Sequence, residues 1–247
     1  DQEIVMNHGI LECFGREDLW FTGVTCTDGS GSARAGVYAD YSDDDMKRVR
    51  LLEQRAAACV GRYSAVLQLG YASKQVKTPG DRGLVEDLDE ILKAARPRVV
   101  YTHNPADKHA THVGVVLNVI RALRNLPAEE RPDKVYGCEA WRGLDWMPDD
   151  KKVVLDLSGH ENLLSALMGL FDSQIAGGKR YDAAALGRFR ANATFLESHA
   201  VDTTELAAYA MDLTPLVTEP GLSIADYVAG FVEELGSGVR AQLDALC

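Results

Sequence analysis

Residues 98–123 read RVVYTHNPADKHATHVGVVLNVIRAL, and the change of period inside this stretch decides the fold class. Its first six residues form an apolar, β-prone run, the pattern of a buried strand. From position 111 onward, Val113, Val116, Leu117, Ile120 and Leu123 recur at intervals of three and four, which places them on one face of a helix. A strand, a polar loop and a helix in that order make half of a βαβ unit.

The same alternation extends in both directions. Upstream, FTGVTCT (21–27) reads as a strand running into the turn-rich DGSGSARAG. An amphipathic helix follows from about Asp44 to Arg62, with Met46, Val49, Leu52, Ala56, Cys59 and Val60 on its apolar face. Asp43, Asp44 and Asp45 favour its N-terminus through the helix dipole. AVLQLG (65–70) is a second strand, and LVEDLDEILKAA (84–95) is a helix stopped at Arg96-Pro97, because proline disfavours helical geometry in the residue before it. Downstream, KVYGCEAW and KKVVLDLS read as two more strands, and the remainder reads as mostly helical. The expectation is an α/β fold: a Rossmann-like three-layer sandwich with a mostly parallel sheet and a helical C-terminal portion, one domain over 1–247.

Composition narrows the function classes. The net charge of −11 comes with no basic block, so nucleic acid is excluded as an expected partner. No apolar run approaches the roughly 20 residues that cross a bilayer. Five scattered cysteines without a CxxC fit reduced thiols in a cytoplasmic protein.

In open parallel sheets, ligands collect at the carboxyl ends of strands. TDGSGS, TPGDRG and THNPADKHATH each follow a predicted strand, so they are expected on one rim. His109 and His112, three apart at a helix start, can reach a common point. Imidazole is both a common metal ligand and the usual acid–base group near neutrality. On spacing alone a polar helix start is the better reading; the position after a buried strand makes a ligand pair about equally plausible. A catalytic zinc takes about three protein ligands; His103 is a further candidate, although its spacing suits a loop residue better.

These motifs together resemble the PIG-L/LmbE-like zinc-dependent de-N-acetylases. That family carries HPDD(x)E, then TDG, an RxxE helix, and D-[RK]-H-x-x-H. Here TDG stands at 27–29, RLLE at 50–53 and DKHATH at 107–112, in matching order over roughly 1–175, with Ser173-Gln174 fitting a later helix. DQEI at 1–4 is similar to the tail of HPDDxEI. The resemblance implies that Asp1 and His112 are ligands of one Zn2+ and that His109 acts at the acyl oxygen. It also implies that the motif's histidine, its general base and the first strand precede Asp1. It points to Arg50 and Asp81 as sugar-binding residues, and Asn104 joins them as a candidate hydrogen-bonding residue.

Many members have an aspartate where Thr111 stands. Asp107 or another carboxylate is therefore expected to take the part of orienting His109, and Asp107 is grouped with His109 as a catalytic candidate. Trp141 and Trp146 are expected in packing rather than against a sugar, and His8, His160 and His199 in structural roles. The implied reaction is hydrolysis of the acetamide of a small-molecule N-acetylglucosamine-type conjugate, in a protein compatible with homo-oligomerisation. The alternatives are a non-catalytic carbohydrate-binding relative and a nucleotide-binding α/β protein; the glycines of TDGSGSARAG match the latter's fingerprint poorly.

Overall fold

The structure is a computed structural model that describes residues 1–219 and 221–247. The chain opens with two short helices, α1 (Gln2–Val5) and α2 (Asn7–Cys13), and continues through β1 (Thr22–Thr27), α3 (Asp43–Val60), β2 (Ala65–Tyr71) and α4 (Ser73–Val76). Next come α5 (Gly83–Ala95), β3 (Val99–His103), α6 (Ala110–Asn125), β4 (Lys134–Cys138) and β5 (Val153–Asp156). The last part holds α7 (Glu161–Gly169), α8 (Asp172–Ile175), α9 (Tyr181–Phe195), β6 (Ala207–Asp212), α10 (Thr214–Thr218) and α11 (Ile224–Leu246). Among the described residues no helix is long and apolar enough to cross a membrane.

The fold is α/β with a helical C-terminal portion, as expected. The expected single sheet is found as two: a parallel pair β1-β2, and a four-stranded sheet in the order β3-β4-β6-β5. β3 and β4 are parallel, with Val99 opposite Lys134 and His103 opposite Cys138. β6 runs antiparallel to β4, pairing Gly137 with Met211. This strand lies in the region expected to be helical. Its sequence AAYAMD is rich in alanine, which favours helices in isolation. Burial of Ala207–Met211 in the sheet overrides that preference.

The chain divides into two compact units, 1–84 with 155–208 and 85–154 with 209–247. In the first, Ile10, Ala57, Leu163, Leu167 and Phe171 form a core cluster, flanked by Phe14, Phe21 and Tyr63. α3 starts at a capping box in which Ser42 and Asp45 bond reciprocally. Its buried face differs from the expected one. Met46, Glu53, Gln54, Ala57 and Ala58 are buried, whereas Leu52 is 61% exposed. Two polar residues replace the apolar ones inside because each finds hydrogen-bond partners there.

In the second unit α6 packs on β3 and α10, burying Val116, Val119, Ile120 and Leu123. Gly137 in β4 leaves room for Leu213, since a Cβ there would stand 2.8 Å from the leucine Cδ1. The guanidinium of Arg124, near the end of α6, donates to the carbonyls of Leu216 at 2.6 Å and Leu222 at 2.8 Å, tying α6 to the C-terminal segment.

Candidate active site

In the second unit, the histidine-rich stretch runs from the last residue of β3 into α6. His103 ends the strand and is buried. The next four residues turn tightly: Asn104 Oδ1 accepts from the Ala106 N–H at 2.8 Å, and the Asp107 N–H donates to the Asn104 carbonyl at 3.0 Å. Asp107 then holds both sides of the helix start. Its Oδ1 accepts from the His109 N–H at 2.7 Å, and its Oδ2 lies 3.0 Å from His112 Nδ1. Burial works against charge on Asp107, but the bonds from His112 and the His109 backbone outweigh it and hold the carboxyl below its ordinary pKa. An ionised carboxylate only accepts, so His112 donates Nδ1–H to Asp107.

The imidazoles form a column. His103 and His112 stack at 3.9 Å between centroids and 9° between planes, and His112 and His109 at 5.0 Å and 20°. His109 stacks in turn against Trp141, at 4.7 Å and 25°, and Lys108 Nζ lies 5.8 Å from the indole centroid. Burial, reinforced by neighbouring His112, lowers the pKa of His103 well below the usual histidine value, so its ring is neutral. Its buried Nδ1 has no hydrogen-bond partner among the described residues.

Trp141 stands on the loop after β4. Glu139, buried one residue past the strand, accepts from the Arg142 N–H at 2.5 Å and from the Leu144 N–H at 3.4 Å. Burial raises its pKa against the pull of these two N–H groups. Gly143 and Leu144 both adopt positive φ, 60° and 56°, a conformation that is uncommon for leucine.

The first unit carries the other motifs. Asp1 precedes α1 with its side chain 54% exposed. Both residues after it are anchored. Gln2 donates to Thr25 Oγ1 at 3.1 Å, and Glu3 Oε1 accepts from Gln54 Nε2 and the Tyr63 hydroxyl, each at 2.7 Å. In RLLE, Arg50 Nη1 donates to Glu53 Oε2 at 2.7 Å while its guanidinium lies 5.0 Å from the Phe171 centroid. Glu53 also accepts from the Ser173 N–H and hydroxyl, each at 2.8 Å. The TDG turn packs on the same arginine: Gly29 has φ 75°, and a Cβ there would stand 2.6 Å from Arg50 Cγ. Asp28 caps that turn through the Ser30 N–H at 3.0 Å and hydroxyl at 2.8 Å.

Of the expected site residues, Asp107, His109 and His112 come together in one unit, and the stack adds His103 and Trp141 to them. Arg50 has the ion pair with Glu53 that its spacing allowed. Asp81 Oδ1 accepts from the Gly83 N–H at 3.0 Å, as a turn residue does. Asn104 is fully buried, and its amide N–H donates to the Gly137 carbonyl at 3.3 Å, so in this structure it shapes the turn. Trp141 is not simply loop packing, since it stacks on a candidate catalytic ring. The sequence reading passed over Glu139 by placing it inside a strand. The available signal was its position at a strand's carboxyl end, where the other polar clusters stand.

The donor set fits the zinc ion implied by the motifs. Asp107 holds one ring nitrogen of His112, the arrangement in which a second partner fixes a ligating imidazole. The neutral ring and orphaned Nδ1 of His103 add a second nitrogen donor in the same unit.

Residues 1–123 match the PIG-L family model, described as GlcNAc-PI de-N-acetylase. No curated protein matches the sequence. Several solved structures share the fold. An N,N'-diacetylchitobiose deacetylase from Pyrococcus horikoshii has 15% identity and a TM-score of 0.66, over 87% of this chain and 80% of that one. The 4-carboxy-2-hydroxymuconate hydratase GalB from Pseudomonas putida has 16% identity and a TM-score of 0.66, over 90% and 95%. An A40926 pseudoaglycone deacetylase has 12% identity and a TM-score of 0.62, over 86% and 92%. At these identities the likeness is one of fold. The matched span, residues 1–123, contains every motif from Asp1 to His112 and belongs to the PIG-L family.

Proposed function

We propose that this protein is a zinc-dependent de-N-acetylase that hydrolyses the acetamide of an N-acetylglucosamine-type conjugate to acetate and a free amino sugar. The observation that carries the reading is the family match over 1–123, which contains TDG, RLLE and DKHATH in order. The deacetylases among the structural neighbours support it, since N,N'-diacetylchitobiose is itself an N-acetylated sugar.

In this reading His112 would hold the ion with His103 as a further nitrogen donor, and the family motif implies Asp1 as the carboxylate ligand. A bound zinc supplies Lewis acidity, polarising the acyl carbonyl and bringing the pKa of water towards about 7. Asp107 orients the His112 ring through Nδ1. His109 supplies an N–H to the developing oxyanion or a proton to the leaving amine, a role typically worth about 10²–10⁴-fold. Arg50, fixed between Glu53, Phe171 and the TDG turn, is a preoriented donor for sugar hydroxyls, and Asp81 is a candidate acceptor for them. The small-molecule conjugate is the partner in this account.

The test measures zinc content and acetate release together in the native full-length protein. His112→Ala is expected to lose zinc and activity together. His109→Ala is expected to keep zinc and lose most activity. Tight zinc binding without acetate release from any N-acetylglucosamine conjugate would overturn the reading. A hydratase occurs on this fold, so water addition to an unsaturated acid is the control reaction, and turnover of that control alone would also overturn it.

A further inference from the structure

We propose that Glu139 and Trp141 form a positioning device that fixes the His109 imidazole from the end of β4. The proposal rests on the reading in which His109 acts at the acyl group. Three observations lead to it.

First, His109 is the residue before α6, is itself exposed, and makes no side-chain cap to the helix. Asp107 engages its backbone N–H, and the carboxylate's other oxygen goes to His112. Second, the indole of Trp141 stacks on the His109 ring at 4.7 Å and 25°, while His112 stacks on it at 5.0 Å and 20°. Near-parallel contact with two planar neighbours restricts rotation about the imidazole's side-chain bonds, which a single hydrogen bond does less completely.

Third, the loop that carries Trp141 is built rather than loose. The buried Glu139 carboxylate accepts N–H bonds from Arg142 and Leu144, one and three residues past the tryptophan. Leu144 is fully buried and holds positive φ, strain that persists only where surroundings enforce it. Burying a carboxylate is costly unless it is hydrogen-bonded, and the bonds of Glu139 go to this loop. Glu139 directly follows Cys138, which pairs with His103 across β3 and β4. The strand register therefore sets where the device stands relative to the histidines. Trp141 and Glu139 act through His109, so they are positioning residues and not catalytic ones.

The test uses the zinc-loaded full-length protein and its Trp141→Phe, Trp141→Leu and Glu139→Gln variants, with N,N'-diacetylchitobiose as probe. The first readout is the His109 ring resonance in histidine-labelled protein, assigned by its loss in His109→Asn. Stacking displaces that signal through the indole ring current. Trp141→Leu is expected to abolish the displacement, Trp141→Phe to keep part of it, and Glu139→Gln to reduce it. The second readout is acetate release. Trp141→Leu is expected to lower kcat at least about tenfold with KM unchanged, because small misplacements of a catalytic group can cost about 10²-fold. Trp141→Phe is expected to restore most of the rate, with zinc content equal in all variants.

A His109 signal unmoved in Trp141→Leu would overturn the proposal whatever the rate does. So would a moved signal with unchanged kcat, or a raised KM at constant kcat, which would make Trp141 a substrate platform. If His109→Ala released acetate at the wild-type rate, the role of His109 in the reaction would fail instead, and the device would fail with it. If the wild type released no acetate from any N-acetylglucosamine conjugate, the proposed function would fail, while the ring resonance alone would still judge the device.

Discussion

Glu53→Ala should be among the most damaging single substitutions in the first unit, although Glu53 lies on a helix whose sequence suggests an exposed acid. The carboxylate is 9% exposed and accepts from Arg50, the Ser173 N–H and the Ser173 hydroxyl at 2.7, 2.8 and 2.8 Å. Truncating it leaves a largely buried guanidinium and a buried backbone N–H without their acceptor. Breaking a buried ion pair from one side costs about 3–5 kcal/mol, and the low end applies here because Arg50 keeps 18% of its side-chain surface in water. At about 2–4 °C per kcal/mol for a chain of this size, a loss of about 3 kcal/mol lowers Tm by about 6–12 °C. Glu53→Gln keeps one acceptor oxygen and should lose about half as much. The assay is thermal unfolding of metal-free protein, so that zinc binding does not offset the loss by mass action. A shift below about 2 °C for Glu53→Ala would refute the reasoning, because it would mean that these bonds contribute no more than a typical exposed ion pair.

Three further outcomes follow from the same geometry. Asp107→Asn should weaken zinc affinity about 10–100-fold, the usual cost of losing a ligand's orienting partner, measured by competition with a chromophoric chelator. Gly29→Ala should destabilise the protein, because φ of 75° and the 2.6 Å approach to Arg50 Cγ both oppose a Cβ; an unchanged Tm would contradict the TDG packing. Burial, helped by Glu3, raises the Tyr63 phenol pKa well above its ordinary value. Its contribution is therefore full below the unfolded pKa of about 10 and declines as pH rises beyond it, so Tyr63→Phe should flatten the fall of Tm between about pH 9 and 11.

Much of this architecture was legible as period and punctuation. The strand and helix of residues 98–123, the capped start of α3 and the stop at Arg96-Pro97 follow from local chemistry that tertiary packing only reinforces. β6 did not show, because AAYAMD carries an alanine-rich helical signal that only its place in a sheet reverses. The buried face of α3 was misjudged for a related reason. Sequence assigns Leu52 to the interior on hydrophobicity, whereas Glu53 and Gln54 enter it because Ser173 and Glu3, 120 and 51 residues away, offer partners.

The site divides along the same line. The spacing of His109 and His112 and the nearby Asp107 carboxylate lie within one local stretch, and they were readable. The stacking of His103 on His112 depends on where a strand ends relative to a helix. That of Trp141 on His109 depends on a loop shaped by Glu139. Neither contact leaves a trace in spacing.

The central claim is that this protein removes an acetyl group from an amino sugar with a metal held by its histidine-rich rim. The most direct measurement is acetate release by the native full-length protein, metal-stripped and zinc-reloaded, on N,N'-diacetylchitobiose and other N-acetylglucosamine conjugates. The account predicts one free amine per acetate, loss of turnover on stripping, recovery with zinc, and a fall of about 10²–10⁴-fold in His109→Ala. Full zinc occupancy with no acetate from any conjugate, or acetate release unaffected by stripping, would contradict it.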